Sequence, residues 1–197
     1  MARHRHDPSK DLVGFLVGDV MYAVRIGVVR EIVNPLTLVD LPRAPATVKG
    51  VADYRGEVVP VIDLRERFGL PPAAVTRKTK WIVLDVGPRR PAASGAPIAP
   101  PVGSAGTVPP AAPSAPPGGR YAALVVDAVT EVFGLAGGEL RPAPPLGSGD
   151  EARGIEGVTT LGSRLVFVLD ARSFGPVAQA ALAPSSGATS AEPPGAP

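Results

Sequence analysis

The sequence predicts an all-β protein built as two small five-stranded barrels, one in each half of the chain. Two blocks recur in the same order. The stretch Thr47 to Gly69 (TVKGVADYRGEVVPVIDLRERFG) returns 107 residues on, from Ile155 to Gly175 (IEGVTTLGSRLVFVLDARSFG). Gly50 meets Gly157, Val51 meets Val158, Val59 meets Val166, Val61 meets Val168, Asp63 meets Asp170 and Arg65 meets Arg172. Likewise Tyr22-Ala23, leading through Val29 to Glu31-Ile32, returns as Tyr121-Ala122, Val129 and Glu131-Val132, at an offset of 99 that becomes 100. Valine-rich strands resemble one another, but matched Gly, Asp and Arg are harder to obtain by chance, so a duplicated half is the better explanation. The third observation is the run of short β-branched segments with closely spaced turn signals and almost no helical period.

Taken in order, Met1 to Asp11 reads as a solvated tail. His4 and His6 lie in it, and two His without a third ligand do not make a metal site. Strands are expected at 12–17, 21–26, 29–33, 47–53 and 57–63. Gly18-Asp19 and Arg55-Gly56 supply tight turns, because Gly accepts the positive φ that a two-residue hairpin needs. Asn34-Pro35 and Pro42 to Pro45 punctuate a loop whose Leu36, Leu38 and Leu41 are expected to pack on the barrel. Pro60 removes a donor from the fifth strand and places it near a sheet edge or bulge. Asp63, Arg65, Glu66 and Arg67 open a short helical segment, with Asp63 and its counterpart Asp170 each capping the turn that follows. In the second half, strands are expected at 79–86, 121–127, 129–134, 155–160 and 164–169. A brief helix follows from Pro176 through Leu182, since Pro suits the first helical position, and 184–197 reads as tail.

The segment Pro88 to Gly119 breaks the pattern with ten Pro and five Gly in 32 residues and almost no charge after Arg90. It reads as an insertion in a hairpin loop rather than as a packed element. Pairing across it remains affordable, because loop closure costs only about 0.6 kcal/mol per doubling of length. The organisation is then a tail at 1–11, one domain at 12–174 with halves at about 12–70 and 79–174, the insertion at 88–119, and a short helix and tail at 175–197.

Composition narrows the function. With no Cys among 197 residues there is no disulfide, thiol nucleophile or thiolate metal site. Twenty basic and 18 acidic residues nearly cancel to a net charge of +2, without a basic stripe, which disfavours nucleic acid. Residues 12–26 are interrupted by Gly14, Gly18, Asp19 and Arg25, so they form neither a signal segment nor a membrane span, and a cytoplasmic location is expected. No nucleophile with its base, phosphate loop or dinucleotide fingerprint is present, so neither an enzyme nor a cofactor is expected.

The series Phe15, Tyr22-Ala23-Val24, Val29, Glu31-Ile32, then Pro45, Lys49-Gly50-Val51, Arg55-Gly56, Val59-Pro60-Val61-Ile62-Asp63-Leu64-Arg65, Phe68-Gly69-Leu70, then Val125-Val126-Asp127 and Val129 resembles the CheW family of chemotaxis coupling proteins. The resemblance covers about residues 12–174 without the insertion. It implies two SH3-like five-stranded barrels. It also implies a cytoplasmic adaptor, associated with receptor arrays, that joins the cytoplasmic tip of chemoreceptors to the regulatory domain of a CheA-type histidine kinase.

By the same resemblance, Val29, Glu31 and Gly50 face the kinase. Beside that reading stands a structural one, with Val29 as core, Glu31 as a solvated charge and Gly50 as a backbone requirement. Arg55 matches the Arg of the family's Asn-Leu-Arg-Gly turn, which is implicated in coupling. Here the turn reads Asp53-Tyr54-Arg55-Gly56, with a charge where the family has Asn. A receptor helix needs an apolar groove, for which Ile26, Trp81 and Val132 are the candidates. Trp81, the only Trp, suits a binding hot spot and equally a core. The rival reading is a CheW-like small-barrel module serving a regulator outside chemotaxis. Deleting Gly95 to Pro116 is predicted to leave the fold intact, and loss of the cooperative thermal transition in that variant would contradict the insertion reading.

Overall fold

The computed structural model describes residues 10–87, 120–135, 140–142 and 154–183. The two His, the insertion from 88 to 119 and the tail from 184 lie outside them. Ten strands are found within a residue or two of their expected places: β1 (Asp11–Val17), β2 (Val20–Arg25), β3 (Val29–Val33), β4 (Val48–Tyr54), β5 (Glu57–Asp63), β6 (Lys80–Asp85), β7 (Tyr121–Val126), β8 (Ala128–Gly134), β9 (Ile155–Leu161) and β10 (Arg164–Leu169). Asp11, expected in the tail, is the first residue of β1 and is buried. The helices are α1 (Leu64–Arg67) and α2 (Gly175–Leu182).

The architecture corrects the expectation of one barrel per half. There are two five-stranded sheets, ordered β8-β1-β2-β10-β9 and β3-β6-β7-β5-β4. Each sheet takes the first two strands of one half and the last three of the other. Neither is a closed barrel, because no ladder joins β8 to β9 or β3 to β4. The exchange follows from the connections. After β2 the chain turns through Ile26–Val28 into the second sheet, and after β7 it returns to the first through the single residue Asp127.

Two parallel pairs complete the exchange. Val166 to Leu169 of β10 lie beside Met21 to Val24 of β2, and Val61 to Asp63 of β5 lie beside Ala123 to Val125 of β7. Val168 thus meets Ala23 while its counterpart Val61 meets Ala123. The duplication is therefore in step at an offset of 100 here, and Tyr22 corresponds to Ala122, not to Tyr121. Tyr22 packs in the core between the sheets, whereas Tyr121 packs on the opposite face of its own sheet.

Most strands are buried on both faces, which explains their near-continuous apolar runs. Between the sheets lie Phe15, Val24, Ile62, Leu64, Ile82, Leu84, Leu124 and Leu169, sealed at one side by Phe174 and Ala178 of the C-terminal segment. Full burial of each large side chain is worth about 1.5–3 kcal/mol. Each sheet also curls around a smaller core of its own: Leu12, Met21, Ala23, Val166 and Val168 in the first, and Ala52, Tyr54, Val59, Val61, Trp81, Val83 and Ala123 in the second. Leu38 joins the latter as expected of the loop leucines, while Leu36 remains at the surface.

Repeated residues do the same work twice. Asp63 accepts hydrogen bonds from the backbone N–H of Arg65 (2.7 Å) and Glu66 (3.4 Å), and Asp170 accepts one from Arg172 (3.0 Å). Such caps contribute about 1 kcal/mol each. Gly50 and Gly157 admit a returning loop: a Cβ on Gly50 would lie 2.3 Å from the Val39 carbonyl oxygen, and one on Gly157 would lie 2.6 Å from that of Arg141. Those loops make the isolated bridges Val39 to Val51 and Arg141 to Val158, which cover β4 and β9 at the sheet edges.

The β6–β7 hairpin closes normally across the insertion. Asp85 pairs with Tyr121 in the ladder, and Arg120 donates to the Asp85 carboxylate at 2.8 Å. At the opposite crossing, the Asp127 carboxylate accepts from Arg65 Nε at 2.9 and 3.1 Å and from the Gly18 N–H at 2.6 Å. Partial burial raises the Asp127 pKa, but the Arg65 and Gly18 donors together outweigh it, and the net shift is downward.

Gly50→Ala is predicted to lower stability by about 2–4 kcal/mol, combining a steric clash with a φ of +147°. Gly56→Ala, where the surrounding space is open, should cost about 1 kcal/mol. Thermal denaturation of the two variants checks the order. The depressed Asp127 pKa adds stability that is present above the ordinary carboxylate range and lost as pH falls through the folded-state value. Asp127→Asn should accordingly flatten the acid limb of stability against pH below about 4, measured by urea denaturation.

Candidate functional site

The Arg55-Gly56 turn is a two-residue hairpin loop in which both residues have positive φ, 55° and 83°, the geometry that matches strand twist. Arg55 accepts the left-handed backbone without being Gly. Asp53 supports it by accepting from the Gly56 N–H at 2.8 Å through Oδ1, an atom that Asn also carries.

The Arg55 side chain is 72% exposed, yet its Nη2 donates to the Glu31 carboxylate at 2.9 Å. The Tyr54 hydroxyl donates to the same carboxylate. Glu31 stands on β3 and Tyr54 on β4, the two outermost strands of the second sheet. Side chains therefore close the mouth that the backbone ladder leaves open. The electrostatics are mutual. The Tyr54 hydroxyl first, then Arg55, hold the Glu31 pKa below its ordinary value. Burial and the neighbouring carboxylate raise the Tyr54 pKa, and the Glu31 hydrogen bond raises that of Arg55. Arg55 also lies over the Tyr54 ring, 5.7 Å from its centroid.

Two of the seven candidate residues, Glu31 and Arg55, are thus brought into one cluster. Val29 is half-buried, pairs with Leu84 and packs on the core between the sheets. Gly50 is buried beneath the Val39 loop, where its lack of a side chain is what the backbone requires. Ile26 sits in the crossing turn, half-buried against the same core. Trp81 corrects its expectation as a groove anchor. It is 5% exposed and fills the interior of the second sheet, because it lies on the strand face that curls inward. Val132 is 54% exposed on β8, at the edge of the other sheet. Trp81 therefore packs in a different core from the one that Ile26 contacts.

The sequence reading missed Tyr54, and it missed Val39 and Val58, whose exposed side chains flank the same edge. No period-2 signal marks Val58, because every residue of β5 from Val59 to Asp63 is buried. Elsewhere, a shallow depression of about 520 Å³ is lined by Leu16, Gly18, Asp19, Val20, Met21, Arg164 and Leu165. No group of three or more metal-ligating side chains occurs among the described residues, and no helix among them is long and apolar enough to cross a membrane. The arrangement is suited to contact: an exposed guanidinium, held by a carboxylate and a phenol, beside apolar side chains.

A family model described as CheW-like domain matches residues 11–175. The chemotaxis protein CheW of Rhizobium meliloti is 27% identical over 175 residues, covering 89% of this chain and 93% of the relative. That of Klebsiella aerogenes is 26% identical over 162 residues, covering 82% of this chain and 79% of the relative. Among solved structures, the scaffolding protein TtCheW of Thermoanaerobacter tengcongensis superimposes with a TM-score of 0.62 at 24% identity, covering 86% of this chain and 90% of the other, and supports the fold. With the match extending through both exchanged sheets, the chain belongs to the CheW-like domain family.

Proposed function

We propose that this protein is an adaptor that couples chemoreceptors to a CheA-type histidine kinase in a chemosensory array, without catalysing a reaction itself. The observation that carries the reading is membership of the CheW-like family across 11–175, supported by the names of its relatives as chemotaxis proteins. In this reading the SH3-like regulatory domain of the kinase docks on the second sheet, along the edge carrying Val29, Glu31 and the turn at Arg55. Gly50 contributes by letting the Val39 loop lie flat against that edge. The receptor's helical tip takes the groove between the sheets, with Ile26 and Val132 on its flanks.

The physical logic is that of modest contacts acting together. A kinase contact and a receptor contact, each weak alone, become firm when an array holds both at high effective concentration. Arg55 is preorganised by Glu31 and Tyr54, so less side-chain entropy is lost when a partner meets it. A signal then passes as a shift in the kinase population, set by how differently the adaptor contacts its two states. The work is done in the cytoplasm, where kinase and receptor tips meet.

A pull-down with a kinase regulatory domain and a receptor cytoplasmic fragment tests this. Arg55→Ala and Glu31→Lys should each weaken ternary capture by about tenfold or more while the chain stays folded. Tyr54→Phe, which removes one donor from the cluster, should weaken it less. A folded chain that binds neither partner would overturn the proposal in favour of a binding module outside chemotaxis.

A further inference from the structure

The chain passes between the two sheets only twice among the described residues, and the two passages are built differently. At the first, Ile26–Val28, the middle residue is Gly27, and a methyl group placed on it would meet nothing within 4 Å. Its equivalent at the second passage, at the offset of 100 that relates Val29 to Val129, is Asp127. There the backbone N–H donates to the Leu16 carbonyl at 3.0 Å. The carboxylate takes the Gly18 N–H from the β1–β2 turn of the first sheet. From the other side it takes Arg65, the second residue of the helix that follows β5 in the second sheet.

Arg65 is itself anchored twice. The Asp63 cap fixes its backbone, and its Nη1 donates to the Pro71 carbonyl at 2.8 Å. Both partners of the pair are largely withdrawn from water, with side chains 21% and 31% exposed, so the contact is less screened than a surface pair. The duplicated residue Arg172 follows Asp170 as Arg65 follows Asp63, but the passage on its side carries Gly27 and offers no carboxylate. One crossing is open and the other is clamped.

We propose that Arg65 and Asp127 are positioning residues that set the angle between the two sheets, and thereby the simultaneous fit of two partners. The inference rests on the coupling function above, because a fixed angle matters only when each sheet contributes to a shared complex. The kinase domain alone meets the edge of the second sheet, which the clamp does not touch. The receptor tip, seated between the sheets, needs both in register, so loosening the clamp weakens receptor capture into the ternary complex and spares the binary kinase complex.

The test uses the full chain. Its lack of Cys allows spin labels at Val58→Cys on the second sheet and Thr160→Cys on the first, both solvent-exposed. Double electron–electron resonance should give a broader inter-label distribution in Asp127→Asn and Arg65→Gln than in the parent, with Arg65→Lys restoring most of the sharpness. Measured on the unlabelled chains, which keep Val58 and Thr160, binary affinity for the kinase regulatory domain should stay within about twofold, while ternary capture of the receptor fragment falls by about tenfold. An unbroadened distribution, an equal fall in binary and ternary binding, or loss of the thermal transition in both variants would overturn the clamp. A parent that binds neither partner would instead overturn the coupling function, and the distance distributions would still judge the clamp.

Discussion

The structure depends on two parallel strand pairs, β2 with β10 and β5 with β7. Antiparallel hairpins such as β1–β2, β4–β5 and β9–β10 form locally, but neither sheet is complete until a strand from the other half arrives. Met21 and Val166, adjacent in the first sheet, are far apart in the chain. Such contacts are slow to form because loop closure precedes any reward. Once made, they bury apolar side chains on both faces and create the core between the sheets. The two halves are inseparable for this reason, although their sequences read as repeats.

Duplication leaves a second physical trace in which copied residues survived. Asp63 and Asp170 cap equivalent turns, and Gly50 and Gly157 make room for equivalent returning loops. These are backbone tasks, demanded wherever the local geometry recurs. Positions that diverged carry individual tasks instead. Arg55 and Tyr54 face Glu31 in one copy, while Leu161 and Gly162 stand at the matching places in the other. Asp127 faces Arg65 where the other copy has Gly27. Asymmetry between the copies therefore marks the residues that give each sheet its own surface.

In the candidate site one charge both closes a sheet edge and orients an exposed side chain. Glu31 closes the open edge of the second sheet through Tyr54, which is buried by its ring in the sheet's interior. The same carboxylate orients Arg55, whose guanidinium stays largely in water and free to meet a further acceptor. An exposed ion pair adds little stability by itself; its value here is geometric, since it fixes a long side chain at the rim of the proposed docking edge.

Much of this was legible in the sequence, and the limits are instructive. The β-branched runs, the Gly turns and the Asp caps are local features, so ten strands, the Arg55-Gly56 turn and both caps could be read from neighbouring residues alone. The family motifs likewise pointed to Glu31 and Arg55. What remained hidden depended on non-local pairing. Whether the halves stand apart or exchange strands cannot be read from either half, because the same alternation suits both arrangements and only the parallel pairs decide. Trp81 looked equally suited to a groove or a core until the curl of its sheet turned it inward. The bond from Glu31 to Tyr54 and the clamp between Arg65 and Asp127 join residues whose separation in the chain carries no signal. The sequence by itself determined the elements and their turns through local backbone preference; the tertiary structure decided partners, edges and exposure, because those follow from which surfaces the long-range pairs bring together.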